Sequence, residues 1–311
     1  MNTPVLIVGF GRFGRALAGM LSTAGHPVYA SDPAAHIPEN LAAPQGLLAG
    51  EATVLLAVPV SAIEDAVGHW GPALDARHLV MDVCSVRSPA EGAMRDILGS
   101  RVPWVGTHPL FGPSSIALGE RPLRVVLCPN ELHPEAAERA RALYESVGCE
   151  VLEENPEDHD RSMAYSHALA FFIAKAMLDM DAPGRTRFVP PSFQSMLRTI
   201  ESVRSDAGHL FYAIEALNPF ASGAREELLA TLSRLHDELE SARDQPPGAV
   251  GSFDIPDLGA AAPELRQARD LIDDLDRDIV RLVGRRQELV RRVKHTKDEK
   301  ELPVRDPVRE R

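Results

Sequence analysis

Pro4-Val-Leu-Ile-Val-Gly9-Phe10-Gly11-Arg12-Phe13-Gly14 is the stretch from which the fold is read. Val5 to Val8 form a short apolar run suited to a strand buried on both faces. Ala16 to Leu21 reads as helix. Between them stands G-x-G-x-x-G. Gly9 permits the tight turn, Gly11 lets a pyrophosphate approach the backbone, and Gly14 lets the helix pack close to the strand. The N–H groups opening that helix then face the phosphates, so Phe10, Arg12 and Phe13 are expected at the cofactor with the three glycines. A second apolar strand, Val28 to Ser31, ends at Asp32, eighteen residues after Gly14. That is where an acid on a ribose 2′-hydroxyl belongs. Asp32 favours NAD over NADP, because its charge repels a 2′-phosphate; Arg12 softens the preference. The bland alternative is a glycine turn in an α/β protein that binds no dinucleotide.

Strand and helix signals continue to alternate outward from this unit. Thr53 to Val58 is a strand closed by Pro59, and Val58 and Pro59 are expected against the cofactor. Ser61 to Val67 is helical, Leu79 to Cys84 and Trp104 to Thr107 are extended, and Leu123 to Leu127 and Glu150 to Leu152 flank an amphipathic helix at Pro134 to Val147. Alternation of this kind predicts a doubly wound, mostly parallel sheet, a Rossmann-type domain over residues 1–154. Ligands bind such sheets beyond the carboxyl ends of the strands, where Gly9, Asp32, Pro59, Ser85 and His108 fall.

From Pro156 the pattern turns helical. Asp158 to Met180, Ser192 to Ser205, Gly208 to Ala216 and Ala224 to Asp244 carry helical period, with Ala168, Leu169, Phe172 and Ala176 on one apolar face. Residues 155–245 are expected to form an all-helical domain for substrate contacts and dimerisation. Residues 246–262 read as a linker rich in proline and glycine. Pro263 then opens a helix of about 35 residues, roughly 50 Å long. Leu265, Ala268, Ile272, Leu275, Ile279, Leu282, Leu289 and Val293 give it an apolar seam that needs a partner helix. Arg286 interrupts that seam. Lys297 follows about 20° around the helix and roughly 16 Å along it, so the two cations can hold a dianion between them.

Composition narrows the classes. The net charge of −12 argues against nucleic acid as a partner. It is unevenly spread: residues 263–311 hold 14 Lys/Arg against 12 Asp/Glu, leaving 19 against 33 for the rest. No stretch is long and apolar enough for a transmembrane helix, and the chain enters a strand with no basic leader, so a cytoplasmic protein away from membranes is expected. Cys84, Cys128 and Cys149 are odd in number, lie in or beside apolar strands and read as reduced and buried. No Cys/His cluster has zinc spacing, and no metal is expected.

His108 lies in Gly106-Thr-His-Pro-Leu-Phe-Gly-Pro113, just past a strand end. A neutral imidazole there can accept a proton while hydride leaves the same carbon for nicotinamide. Ser85, after the preceding main strand, can hydrogen-bond the same hydroxyl. The alternative is that His108 caps a turn before Pro109.

The glycine turn, Asp32, Asp82-Val-Cys-Ser-Val86, His108-Pro109 with Phe111-Gly112-Pro113, and Glu157-Asp-His-Asp160 together resemble the prephenate dehydrogenase family over residues 4–240, and within it the bifunctional branch that carries a chorismate mutase domain. The resemblance implies NAD-dependent oxidative decarboxylation of prephenate to 4-hydroxyphenylpyruvate, in tyrosine biosynthesis. It makes His108 the catalytic histidine, Ser85 its support, and His167 a residue near substrate; His167 as a helix-packing residue stays open. The family places a substrate-binding arginine about five residues before a step resembling Ser205-Asp206. Here that position holds Glu201, with Arg198 and Arg204 one turn to either side. A glutamate there would favour an amine, which makes 4-amino-4-deoxyprephenate or arogenate the alternative substrate. A non-catalytic, NAD-binding dimeric regulator is the alternative of another class.

The tail resembles the first helix and following turn of the all-helical chorismate mutases. Arg269, Arg286, Lys297, Asp306, Arg309 and Glu310 match in spacing, and the resemblance implies that such residues bind the carboxylates and ether oxygen of chorismate. The helix is implied to pair with its twin in a homodimer. The chain stops at Arg311, where the second mutase helix is expected, so these residues are expected to show no useful mutase activity.

Overall fold

The computed structural model describes residues 3–117, 119–205, 208–243, 282–284, 286–287 and 289–294. In chain order the first part holds β1 (Val5–Val8), α1 (Arg12–Thr23), β2 (Val28–Ser31), β3 (Thr53–Leu56), α2 (Ile63–Trp70), β4 (Leu79–Asp82), α3 (Arg87–Leu98), β5 (Trp104–Pro109), α4 (Pro113–Ala117), β6 (Leu123–Cys128), α5 (Pro134–Ser146) and β7 (Cys149–Glu153). The seven strands form one sheet in the order β2-β1-β3-β4-β5-β6-β7. Pairing is parallel from β2 through β5, antiparallel between β5 and β6, and parallel again for β7. The first crossover runs from β1 to β2 on one side, and the next returns past β1 to β3 on the other. The order therefore reverses between β1 and β3, and the crevice at that switch is where such sheets take ligands. Only 3-10 turns (Glu39–Leu41, Leu47–Ala49) connect β2 to β3, and a lone parallel bridge, Ala30 to Ala42, lies beyond β2.

Each central strand is buried throughout because helices cover both faces. Leu6, Val8, Val54, Leu56 and Val80 join Ile63 and Val67 of α2 and Met94 and Leu98 of α3 in one core. Residues of opposite parity face α1 and α5. Cys84, Cys128 and Cys149 are buried and reduced. Burial pushes the Cys84 thiol well above its usual range and the Cys128 thiol up to about 12, so both stay protonated.

Several expected strand ends move: β4 stops at Asp82 rather than Cys84, and two others bear on the site. β3 stops at Leu56, so Val58 and Pro59 lie in the loop beyond it. β5 runs on to Pro109 rather than ending at Thr107, because β6 pairs antiparallel with Gly106–Pro109 where β4 has already ended. His108 therefore sits inside the strand, opposite Val126, and not past its end. A histidine and a proline lacking an N–H look like loop in sequence, yet a proline is tolerated as the strand's last residue.

The helical part follows as α6 (Pro156–Met163), a π-turn (Ala164–Ala168), α7 (Leu169–Asp179), α8 (Pro191–Ser205), α9 (Gly208–Tyr212), a second π-turn (Ala213–Leu217) and α10 (Ala221–Arg243). The buried row along this segment is Ala164, Ala168, Phe171 and Ala174, while Leu169 and Phe172 of the expected face are half-buried and Ala176 is exposed. Phe171 and Ile214 close over Val86 at the start of α3.

Residues 1–113 and 122–237 form one compact unit. Residues 114–121 and 238–311 form a second, of which 282–284, 286–287 and 289–294 are helical with exposed side chains. The linker at 246–262 and most of the expected C-terminal helix lie outside the described residues.

Candidate active site

The glycine turn at the β1–β3 switch is built as its sequence requires. Gly9 has φ +96°, and a Cβ there would stand 2.5 Å from the Ala57 carbonyl oxygen and 2.9 Å from Val58 Cγ1. A Cβ on Gly14 would overlap the Gly9 carbonyl oxygen, so α1 can approach β1 only with glycine at that position. Gly11 differs: its Cβ would meet nothing within 4 Å, and the residue faces open space at the start of α1. No side chain caps this helix N-terminus. Open space, uncapped N–H groups and a positive helix end fit a pyrophosphate.

Asp32 completes the cradle. Its Oδ2 accepts the Phe10 N–H at 2.7 Å, and its Oδ1 accepts those of Ala34 and Ala35 at 2.8 and 3.0 Å. Burial pushes this carboxyl up, but the three N–H donors and Arg15 outweigh it and hold the group below its usual range. A fixed negative charge at the carboxyl end of β2 suits a ribose diol and repels a phosphate on it. Phe10 serves through its backbone, its ring being buried beneath the Arg15 guanidinium. Phe13 packs 6.0 Å from Phe111, tying the glycine turn to the segment after His108. Arg12 and Pro59 are exposed beside the crevice.

Alternation along β5 sends Thr107 and His108 to opposite faces. Thr107 Oγ1 meets Tyr144 of α5, while the His108 ring turns toward α6. His108 Nδ1 lies 2.9 Å from His159 Nε2, and His159 Nδ1 lies 3.0 Å from Asp160 Oδ1. Asp160 also accepts the backbone N–H groups of Arg87 and Ser88 and the Ser88 hydroxyl, capping α3 from 73 residues away. Burial pushes the Asp160 carboxyl up, but His159 and these donors prevail and keep it ionised below the usual range.

This chain of contacts constrains the tautomers. An ionised Asp160 accepts from His159 Nδ1–H. In the arrangement where His159 Nε2 carries no proton, it accepts from His108 Nδ1–H, and His108 Nε2 keeps a free lone pair. Burial, with His159, His167 and Arg87 nearby, pulls the His108 imidazole well below its usual range. A neutral His108 in that arrangement carries its proton on Nδ1, the nitrogen that faces His159. His167 stacks beside it with ring centroids 6.3 Å apart and planes at 15°, and stands edge-on to Phe171 at 4.6 Å. Burial lowers the His167 pKa as well.

Beneath the site lies a buried ion pair. Arg87 grips Asp82 through both terminal nitrogens, at 2.7 and 2.6 Å, and both side chains are wholly buried. Asp82 also accepts the Cys84 N–H at 2.9 Å. Ser85 is half-buried in the turn between β4 and α3, one strand over from His108. Glu201 is exposed on α8, and the side chains of Arg198 and Arg204 lie outside the described ones. Arg286 is helical and exposed; Arg269, Lys297, Asp306, Arg309 and Glu310 lie outside the described residues. Among the described residues no group of three or more His, Cys, Asp or Glu side chains is arranged for a metal ion, and no helix is long and apolar enough to cross a membrane.

Sequence reading singled out His108, Ser85 and His167 but gave no role to His159, Asp160, Asp82 or Arg87. The signal for the first two was the Glu157-Asp-His-Asp160 run opening a helix. The ion pair left none, because Asp82 and Arg87 look like ordinary flanks of a turn.

The family model for the prephenate dehydrogenase nucleotide-binding domain matches residues 39–153, and that for chorismate mutase type II matches residues 268–311. A 4-amino-4-deoxyprephenate dehydrogenase from Streptomyces pristinaespiralis is 29% identical over 238 residues, 74% of this chain and 76% of the relative. A probable arogenate/prephenate dehydrogenase from Methanocaldococcus jannaschii is 27% identical over 53% of this chain, and the T-protein of Haemophilus influenzae is 26% identical over 54%. The matched part of this chain takes in only 39% and 42% of those two proteins' lengths. In fold, the chain resembles a prephenate dehydrogenase from A. aeolicus solved with hydroxyphenyl propionate and NAD+, with TM-score 0.61 and 21% identity over 78% of this chain and 92% of the other.

Proposed function

Because this chain belongs to the prephenate dehydrogenase family and continues into a chorismate mutase type II segment, we propose that it is an NAD-dependent oxidoreductase acting on prephenate to give 4-hydroxyphenylpyruvate. The observation that carries this reading is the buried His108–His159–Asp160 chain of contacts on the sheet that also bears the glycine cradle. NAD, when bound, accepts the hydride leaving ring carbon C4. Gly9, Gly11, Gly14 and the α1 N-terminus would hold its pyrophosphate, Asp32 its adenosine ribose, and Val58 and Pro59 would line the switch point beside it.

His108 Nε2 accepts the proton of the C4 hydroxyl as that hydride departs. The bond from the ring to its carboxylate breaks, carbon dioxide leaves, and the electron pair makes the ring aromatic. His108 then returns the proton to the phenolic oxygen and ends as it began. Ser85 orients the same hydroxyl. His167 forms a wall of the substrate site, with Arg198 and Arg204 of α8 as cations for the carboxylates. The proposed assembly is a homodimer through the helical part and the C-terminal helix. In support, Leu229, Leu232 and Leu235 repeat at helical spacing along α10 while 54, 50 and 37% exposed.

The second reading is a preference for 4-amino-4-deoxyprephenate. It is favoured by a relative of that name that matches three quarters of both chains, and by Glu201 in place of an arginine. The test is NADH formation from prephenate, arogenate and 4-amino-4-deoxyprephenate side by side, with His108→Asn as control. Prephenate is expected to give the highest kcat/KM. His108→Asn is expected to lower kcat by about 10³-fold with NAD affinity retained. A higher kcat/KM for the amino analogue would replace the first reading by the second. A His108→Asn enzyme within a few-fold of the parent would remove both.

A further inference from the structure

We propose that Arg87 is a positioning residue for this reaction: one buried guanidinium ties the backbone beside Ser85 to the backbone beside His108 and so holds hydroxyl and imidazole in register. The inference rests on the function proposed above. Arg87 Nη1 donates to the Cys84 carbonyl at 2.9 Å and to the Thr107 carbonyl at 2.8 Å. Cys84 immediately precedes Ser85, and Thr107 immediately precedes His108. The backbone N–H of Arg87 donates to Asp160 Oδ1 at 2.8 Å, and the same carboxylate oxygen faces His159 at 3.0 Å. Thus the turn of Ser85, the strand of His108 and the anchor of the histidine pair meet on one residue.

The guanidinium cannot wander. Its fork is locked on Asp82, which itself accepts from Cys84 N–H at 2.9 Å and Thr107 N–H at 3.3 Å. A Cβ on Gly106 would overlap the guanidinium, so β5 is pressed directly against it. Parallel strands β4 and β5 share a register only at Val80–Trp104 and Met81–Val105. Beyond Met81 the sheet ladder no longer joins the two chains, and the Asp82–Arg87 cluster takes over that task where Ser85 and His108 stand. Burying an ion pair is seldom the cheapest way to stabilise a core, since well-packed apolar residues often do as well. A planar fork reaching a carboxylate and two carbonyls at once provides geometry that apolar packing does not.

The test separates positioning from stability. Arg87→Met alone would strand a buried carboxylate, so the informative variant is Asp82→Asn/Arg87→Met, which removes both charges. It is compared with Arg87→Lys and the parent for thermal midpoint, NAD affinity, kcat and the His108 NMR titration. The double variant is expected to fold and bind NAD like the parent, with kcat reduced about 10²-fold. Its His108 is expected to titrate at higher pH, and its Nδ1 proton to lose the signature of a bond to His159. Arg87→Lys keeps the charge but not the fork; it is expected to restore part of the loss and to remain about tenfold below the parent in kcat. Parental kcat and parental His108 titration in a folded double variant would overturn the inference. Should the double variant not fold, parental values in Arg87→Lys would do so. The NMR readout needs no substrate, so absence of turnover by the parent would refute the proposed function and still leave the role of Arg87 decided.

Discussion

Asp160 shows how much of the site's chemistry one residue can carry. Its carboxylate caps α3 through the N–H groups of Arg87 and Ser88 and at the same time accepts from His159 Nδ1. Asp160→Asn keeps one acceptor oxygen, puts an NH2 in place of the other, where the Ser88 N–H already points, and removes the charge that favours a proton on His159 Nδ1. The histidine pair then loses the anion that orients it. The expected outcome is a fall in kcat of about 10²- to 10⁴-fold with NAD affinity unchanged, read by steady-state kinetics and cofactor titration. A stability loss of about 1–3 kcal/mol should accompany it, because buried N–H groups lose an acceptor. A parental kcat would remove the relay. His108 and Ser85 stood out by position, Ser85 after an apolar strand and His108 at an expected strand end that the structure carries on to Pro109. The partners of the His108 ring did not, because they come from a helix 51 residues on.

The glycine turn makes a sharper prediction at the level of the element. Gly14→Ala puts a methyl group onto the Gly9 carbonyl oxygen, so α1 must lift from β1; a cost of about 1–3 kcal/mol is expected, with weakened NAD binding. Gly11→Ala has open space and an ordinary backbone conformation. It should leave the thermal midpoint unchanged and weaken only NAD, whose phosphates would meet the new methyl group. Equal thermal midpoints for the two variants would contradict the roles assigned to these glycines. These roles were legible in the sequence because the motif is local. The end of β5 was not, because antiparallel pairing with β6 decides it. Nor was the π-turn at Ala164–Ala168, nor the exposure of Ala176.

Stability of the whole molecule should carry the mark of Glu91 on α3. Burial pushes its carboxyl up to about 7, with Arg87 opposing and Asp82 and Asp160 adding to the rise. Between its ordinary value near 4.5 and 7 the folded state binds the extra proton. Stability from this group is therefore full below about 4.5 and declines as pH rises to 7. Asp160 acts in the opposite sense: its lowered pKa contributes stability above its ordinary value near 3.8 that is lost as pH falls through the folded value. Glu91→Gln keeps the shape and removes the titration. Urea unfolding at pH 5 and pH 8 should show the variant gaining up to about 3 kcal/mol on the parent at the higher pH and little at the lower. Equal gains at both values would show that Glu91 does not titrate in the folded protein.

The sequence by itself determined the alternation of strands and helices and the glycine cradle for a dinucleotide, and it singled out the histidine proposed to take a proton. Each depends on side chains within a few positions of one another, and local sterics and hydrophobic period encode such relations. Tertiary structure alone decided that Asp160 caps a helix 73 residues upstream, that two histidines from different layers meet at hydrogen-bond distance, and that Arg87 joins two strand ends beyond their common ladder. Those bonds form only where burial excludes water and leaves a polar group no partner but the one the fold brings to it.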